Sequence, residues 1–160
     1  MNKFSLQQQV LKRLAEDLLQ AEDAVRVAHE TATHAENIAE NKYDTLGLEA
    51  AYLATGQVRR AEAIRQAMAK WHQFRPRPYD ASKGIQLGAL VCLVDSDDKQ
   101  QQLFLGPDGG SMQLGSGTQL VQVISMEAPL GRAMLGKCEG DDVSIQVAAI
   151  RQQFEVLRVH

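Results

Sequence analysis

From Phe4 onward, apolar residues recur at alternating three- and four-residue steps: Phe4, Leu11, Leu14, Leu18, Ala21, Val25, Ala28, Ala32 and Ala35, with Gln7 the one polar position in the series. That spacing is the a/d seam of a coiled coil, flanked here by lysine, arginine, aspartate and glutamate. No proline or glycine precedes Gly47, so nothing interrupts the pattern and it predicts one long helix. A second series, Gly47, Ala50, Ala54, Gln57, Ala61, Ile64, Met68 and Trp71, keeps the same spacing. The first series runs from leucines to alanines and the second from small residues to large ones. Paired head to tail, the two fit as an antiparallel hairpin that thins towards its turn. A parallel dimeric coiled coil is the alternative, but it has no need of the break in register over residues 35–54.

Beyond the hairpin the period changes. Pro76 and Pro78 push the residues before them out of the helical region, so the second helix ends here. Residues 85–94, 101–105, 118–124, 143–148 and 152–159 have β-branched or alternating apolar character and are expected as strands. Turns are marked by Asp95-Ser96-Asp97-Asp98, Gly106-Pro107-Asp108-Gly109-Gly110 and Gly115-Ser116-Gly117. Residues 129–135 read as a short helix, with proline in its first turn and Gly136 past its end. The expected class is α+β. A hairpin over residues 1–74 and a linker over 75–84 lead into a small, mostly antiparallel β domain with one short helix over 85–160.

Composition narrows the function. A net charge of −3 lacks the basic excess that bulk nucleic-acid binding by counterion release requires. Aromatic residues make up 5% of the chain, too few for a base-stacking platform. Cys92 and Cys138 lie far apart and form no CxxC pair, which fits a reduced, cytoplasmic protein. No apolar run reaches the roughly 18 residues of a membrane span, and residues 1–18 lack a signal-peptide core, so no membrane partner is expected. The four histidines show no metal-ligand spacing, and no phosphate loop or Ser/His/Asp set occurs. Charge is concentrated at the hairpin turn, where Glu30, Glu36, Glu40, Asp44 and Glu49 face a single basic residue, Lys42. Such a run is commonly a solvated turn.

One segment carries a specific likeness. Pro129, Leu130, Arg132, Ala133, Leu135, Gly136, Lys137, Gly140 and Asp141, followed by the valine-bearing stretch from Val143, resemble the C-terminal signature of bacterial Gre-type transcript cleavage factors. Ala128 stands where that signature has serine. Gly88 early in the first expected strand, Glu40-Asn41 and Ala50-Ala51 extend the likeness more loosely along the chain. The resemblance implies a coiled-coil hairpin followed by an FKBP-like domain, and bacterial RNA polymerase core as partner. It implies a monomer, with no cofactor of its own, that docks at the rim of the polymerase secondary channel through Ala128, Pro129, Leu130, Gly131 and Arg132. The hairpin tip would then reach the polymerase active site, where its acidic residues help hold a Mg²⁺ shared with the polymerase. Extra carboxylate ligands suit a second metal that positions an attacking water. The factor is then no enzyme itself, and at most stimulates the polymerase's own RNA cleavage.

The tip departs from the family's Asp and Glu three residues apart. Aligned on Glu40-Asn41, Asn37 takes the aspartate position; aligned on Ala50-Ala51, Asn41 takes it and Asp44 takes the glutamate position. Either register leaves one carboxylate and one amide. Glu40 and Asp44 converge as metal ligands if the segment between them is helical. On the second helix, Arg59, Arg60 and Arg65 are either a solvated face with intrahelical pairs or, as in the family, a patch near the RNA 3′ end, which the factor then meets indirectly. Arg132 either docks or satisfies local carbonyls and Asp141 or Asp142. Two alternatives share the domain type: a non-cleaving relative that occludes the channel, and an FKBP-like prolyl isomerase or chaperone. For the latter, Phe74, Tyr79, Phe104 and Phe154 are few to line a proline pocket. Regulators of nucleoside diphosphate kinase, a further relative class, have a shorter hairpin.

Overall fold

The structure, a computed structural model, describes residues 2–38, 46–108, 112–115 and 119–160. Helix α1 spans Lys3–Ile38 and α2 spans Leu46–Gln73, followed by β1 (Leu90–Asp95), β2 (Gln100–Gly106), β3 (Met112–Leu114), β4 (Val121–Ser125), α3 (Pro129–Met134), β5 (Asp142–Val147) and β6 (Ile150–Val159). The chain divides into two compact units, Met1–Val10 with Lys70–His160, and Leu11–Ala69. No helix among the described residues is long and apolar enough to cross a membrane.

The second unit is helical. Leu14, Ala21, Ala32 and Ala61 are buried, and Leu18, Val25, Ala28, Ile64 and Met68 are half-buried, so the expected seam holds through this stretch, with Ala67 buried beside it. Arg65 on α2 donates to Glu22 on α1 across the pair at 2.9 Å. In the first unit the start of α1 meets the end of α2, where Gln7 binds Trp71 and Phe74. Rising positions on α1 therefore meet falling positions on α2, and the helices run antiparallel.

The seam fails at its first member. Phe4 is 64% exposed, whereas Leu6 and Val10 are buried. The cause lies at Gln7, which is itself buried. Its Nε2 donates to the carbonyls of Trp71 at 2.7 Å and Phe74 at 2.9 Å, at the end of α2 where carbonyls lack intrahelical donors. Arg75 supplies further bonds to His72 O and Phe74 O. At the N-terminus of α1, Asn2 Oδ1 accepts the Phe4 N–H at 2.8 Å as an N-cap.

The sheet order is β3-β4-β2-β1-β6-β5, antiparallel throughout except for the parallel β2–β4 pair. Strands β1 and β2 are buried on both faces over residues 90–93 and 103–106, where their apolar runs lie. Val91, Leu93, Leu103 and Leu105 face the main core with Ile124, Met134, Val143 and Val156. On the opposite face, Phe104 meets Trp71 and Phe74, with ring centroids 5.9 and 6.1 Å away. Trp71 Nε1 donates to Asp108 O at 3.0 Å, and the indole packs so tightly over Gly106 that a Cβ there would collide with it.

Two expected strand limits change. The stretch 85–89 is a turn, because Gly84 and Gly88 both take positive φ, 75° and 92°, and Gly88 N–H donates to Leu105 O. A Cβ on Gly84 would collide with the Gly136 carbonyl. Strand β3 was not anticipated; it is three residues long and lies between two stretches read as glycine-rich turns.

Candidate functional site

Helix α3 begins at Pro129, whose missing N–H and fixed φ suit the first helical position. Ala128 precedes it in extended conformation without a side-chain cap, and its N–H donates to Ser125 O at 3.1 Å. Serine at 128, as in the family signature, is a preferred capping residue; alanine is not. Gly131 is buried where a Cβ would strike Ser125 O, so only glycine lets α3 lie this close to the end of β4. Leu130 and Ala133 pack against the core, and Met134 is wholly buried.

The expected docking set therefore separates. Pro129 and Arg132 are exposed, Ala128 and Leu130 are half-buried, and Gly131 is buried. Leu130 is half-buried because the α3 period turns it towards the core. Arg132 has no carboxylate partner among the described residues, so neither Asp141 nor Asp142 holds it.

The rest of the signature builds the turn after α3. Gly136 adopts φ 79°, and its N–H donates to Ile85 O at 2.8 Å, while Lys137 O accepts from Ile85 N–H at 2.7 Å. Gly140 adopts φ 87°, and its N–H donates to Val156 O. Asp141 Oδ2 accepts the Cys138 N–H at 2.8 Å, which closes the turn into β5.

On α2, Arg59 and Arg60 are exposed without carboxylate partners among the described residues. Arg65 differs from them. It binds Glu22 at 2.9 Å and Glu62 at 3.4 Å, and the hydrogen bond it donates to Glu22 holds its guanidinium above its ordinary pKa. The expected basic patch thus divides into two free cations and one that ties the helices together. Gly56 lies between Tyr52 and Arg60 with open space around it, and Tyr52 is 71% exposed, a feature the sequence reading passed over. Glu40, Asn41 and Asp44 lie outside the described residues, as does the side chain of Asn37 on the last turn of α1.

The family profile described as "Transcription elongation factor, GreA/GreB, C-term" matches residues 80–160, half of the chain and all of the sheet with α3. The chain belongs to the GreA/GreB family. It is 33% identical over 79 residues to transcription elongation factor GreA of Desulfotalea psychrophila, covering 48% of this chain and 45% of that one. With GreA of Desulfovibrio desulfuricans it shares 36% over 77 residues, covering 47% and 43%. With GreA of Alkalilimnicola ehrlichii it shares 26% over 102 residues, covering 62% and 60%. The chain spans about half the length of the curated relatives it matches. Among solved structures, GreA factor homolog 1 of Thermus thermophilus is 21% identical with a TM-score of 0.39, covering 94% of each chain. GreA/GreB from Nitrosomonas europaea is 16% identical at 0.38, covering 61% and 78%. At TM-scores this low these likenesses carry no weight, and the family rests on the C-terminal match.

Proposed function

We infer that this GreA/GreB-family chain is a transcription elongation factor that binds bacterial RNA polymerase. The family match over residues 80–160 carries this reading. The exposed pair Pro129 and Arg132 on α3 is the docking contact, and Ala128 and Leu130 hold the helix in place behind it. The hairpin then enters the secondary channel with Arg59 and Arg60 along its side. In this reading the polymerase supplies the catalytic metal, and the tip adds carboxylate ligands from Glu40, Asp44 or both, beside an amide.

The direct test is binding of the full chain to bacterial core polymerase. Arg132→Glu should weaken binding about tenfold or more while the chain stays folded, because a charged contact is inverted rather than merely removed. Failure of the unaltered chain to bind would end the reading. A second reading, a non-cleaving factor that occludes the channel, is favoured by the amide at Asn37 or Asn41 where a second carboxylate is expected. Cleavage assays on backtracked complexes separate the two. A stimulator loses activity with Glu40→Ala or Asp44→Ala, whereas an occluder slows elongation and never accelerates cleavage.

A further inference from the structure

Three cations from separate stretches of the chain line one cavity of about 270 Å³ in the first unit. Lys3 comes from the first turn of α1, Arg77 from the segment after α2, and Lys83 from the loop before β1. No carboxylate among the described residues lies within 4.0 Å of their charged nitrogens. Elsewhere the protein pairs its cations closely: Arg26 with Asp23 at 2.8 Å, Arg65 with Glu22 at 2.9 Å and Lys70 with Asp108 at 2.9 Å. Asp80 also borders the cavity, but its Oδ1 already accepts from the Ser82 N–H at 2.9 Å and the Ser82 hydroxyl at 2.6 Å. His160 sits at the rim with its main chain bonded to Leu90 in both directions.

Lys3 is the sharpest member. It is half-buried, and its ammonium donates to the neutral carbonyl of Arg77 at 2.8 Å. Burial pushes its pKa below the ordinary lysine value, as expected where a charge leaves water without gaining a counter-charge. A cavity lined by three cations and a single carboxylate, Asp80, which is already engaged by Ser82, keeps a net positive charge and is suited to a small, multiply charged oxyanion. Arginine offers a planar fork to phosphate oxygens and lysine a point charge, the usual donor mixture for such groups. The volume lies just below the range of ligand pockets, which run from roughly 300 Å³ upward. It suits a charged head group better than a whole dinucleotide.

We propose that this cavity binds a diphosphate group, presented either as free pyrophosphate or as the 5′-diphosphate end of a nucleotide. The proposal does not depend on the polymerase reading, because the chain alone is the test material. The full chain is titrated with pyrophosphate, ADP and orthophosphate in magnesium-free buffer, and backbone amide NMR signals are followed. Saturable shifts are expected at Lys3, Arg77, Lys83 and Gly84, with orthophosphate at least about tenfold weaker because it carries fewer charges to share among three cations. Tighter binding of ADP assigns the nucleotide; equal binding assigns the free diphosphate. Arg77→Gln and Lys83→Gln should each weaken binding about five- to tenfold, consistent with loss of one charge-assisted bond. Lys3→Gln keeps a donor for the Arg77 carbonyl and should do the same. Arg59→Gln on α2 should change nothing. Absence of saturation in the millimolar range, shifts centred on α2, or affinity indifferent to the three cavity substitutions would overturn the proposal.

Discussion

Replacing Gln7 by methionine sets two accounts of the hairpin base against each other. On the heptad pattern Gln7 is a polar slip, and an unbranched apolar side chain of similar length should stabilise by burial, by roughly 1.5–3 kcal/mol. In the structure Gln7 is 5% exposed and donates twice, to Trp71 O and Phe74 O. Phe74 O keeps a second donor in Arg75, whose Nη1 lies 2.9 Å away, whereas Trp71 O loses the Gln7 bond outright. Two net hydrogen bonds are worth about 1 kcal/mol each, and a buried carbonyl stripped of its donor costs a further 1–3 kcal/mol. Methionine recovers part of this through burial of its thioether. The expected result is a net destabilisation of about 2 kcal/mol.

Trp71 makes the measurement local. It is the chain's single tryptophan, is 1% exposed, and provides one of the two carbonyls in question. Urea unfolding followed by its emission therefore reports the unit in which Gln7 sits. Gln8→Met, on the exposed face, is the matched control and should move the midpoint by less than about 0.5 kcal/mol. A Gln7→Met protein as stable as the unaltered one, or more stable, would refute the capping argument and restore the heptad reading.

Gln57, the polar residue in the second series, should respond with the opposite sign. Its Oε1 is buried without a donor among the described residues, so Gln57→Met should stabilise the helical unit by about 1 kcal/mol in helix-monitored melting. Ala148 begins the two-residue loop between β5 and β6 at φ 56°, so Ala148→Gly should relieve about 1–2 kcal/mol of left-handed strain. Glycine's larger unfolded-state entropy returns part of that, leaving about 0.5–1 kcal/mol of gain in urea midpoint. Gly131→Ala places a methyl against the backbone at Ser125 and should destabilise the sheet unit by about 2–3 kcal/mol by the same assay; an effect under about 0.5 kcal/mol would show that α3 shifts freely.

The hairpin was legible because its information is periodic, and burial from Leu14 to Ala32 follows that period. It stopped being legible at the hairpin base, where the first turns of α1 join the sheet unit and a glutamine with two acceptors outcompetes an apolar residue. Trp71 shows the same limit. Its spacing assigns it to the second seam, while its partners are Phe74, Phe104 and Asp108 O in the sheet unit. One local signal pointed there: Gly106 at the end of an apolar strand, where a missing side chain marks a close neighbour. Those aromatics are therefore packed on one another, while Tyr79 and Phe154 rest against the core. The half-buried setting of Leu130 could not be read from the sequence, because spacing within a helix of six residues gives too little pattern to choose its buried side.

The C-terminal signature deserves a different weight for fold than for docking. Gly136, Gly140 and Asp141 satisfy positive φ or bind backbone N–H groups, and Gly131 exists because nothing larger fits beneath α3. Matching those residues argues for the same turn and the same helix placement. It adds little about the partner, since any chain folding this way needs them whether or not it docks. The partner-specific content falls on Pro129 and Arg132, which face solvent and have no structural task as demanding. Proline is also a common first helical residue, which leaves Arg132 as the position where the docking reading and a purely architectural reading diverge most. Arg132→Glu should leave the urea midpoint within about 0.5 kcal/mol of the unaltered chain, as an exposed change does. The same substitution should cut polymerase binding about tenfold or more. If both stability and binding survive it, the signature marks the fold alone.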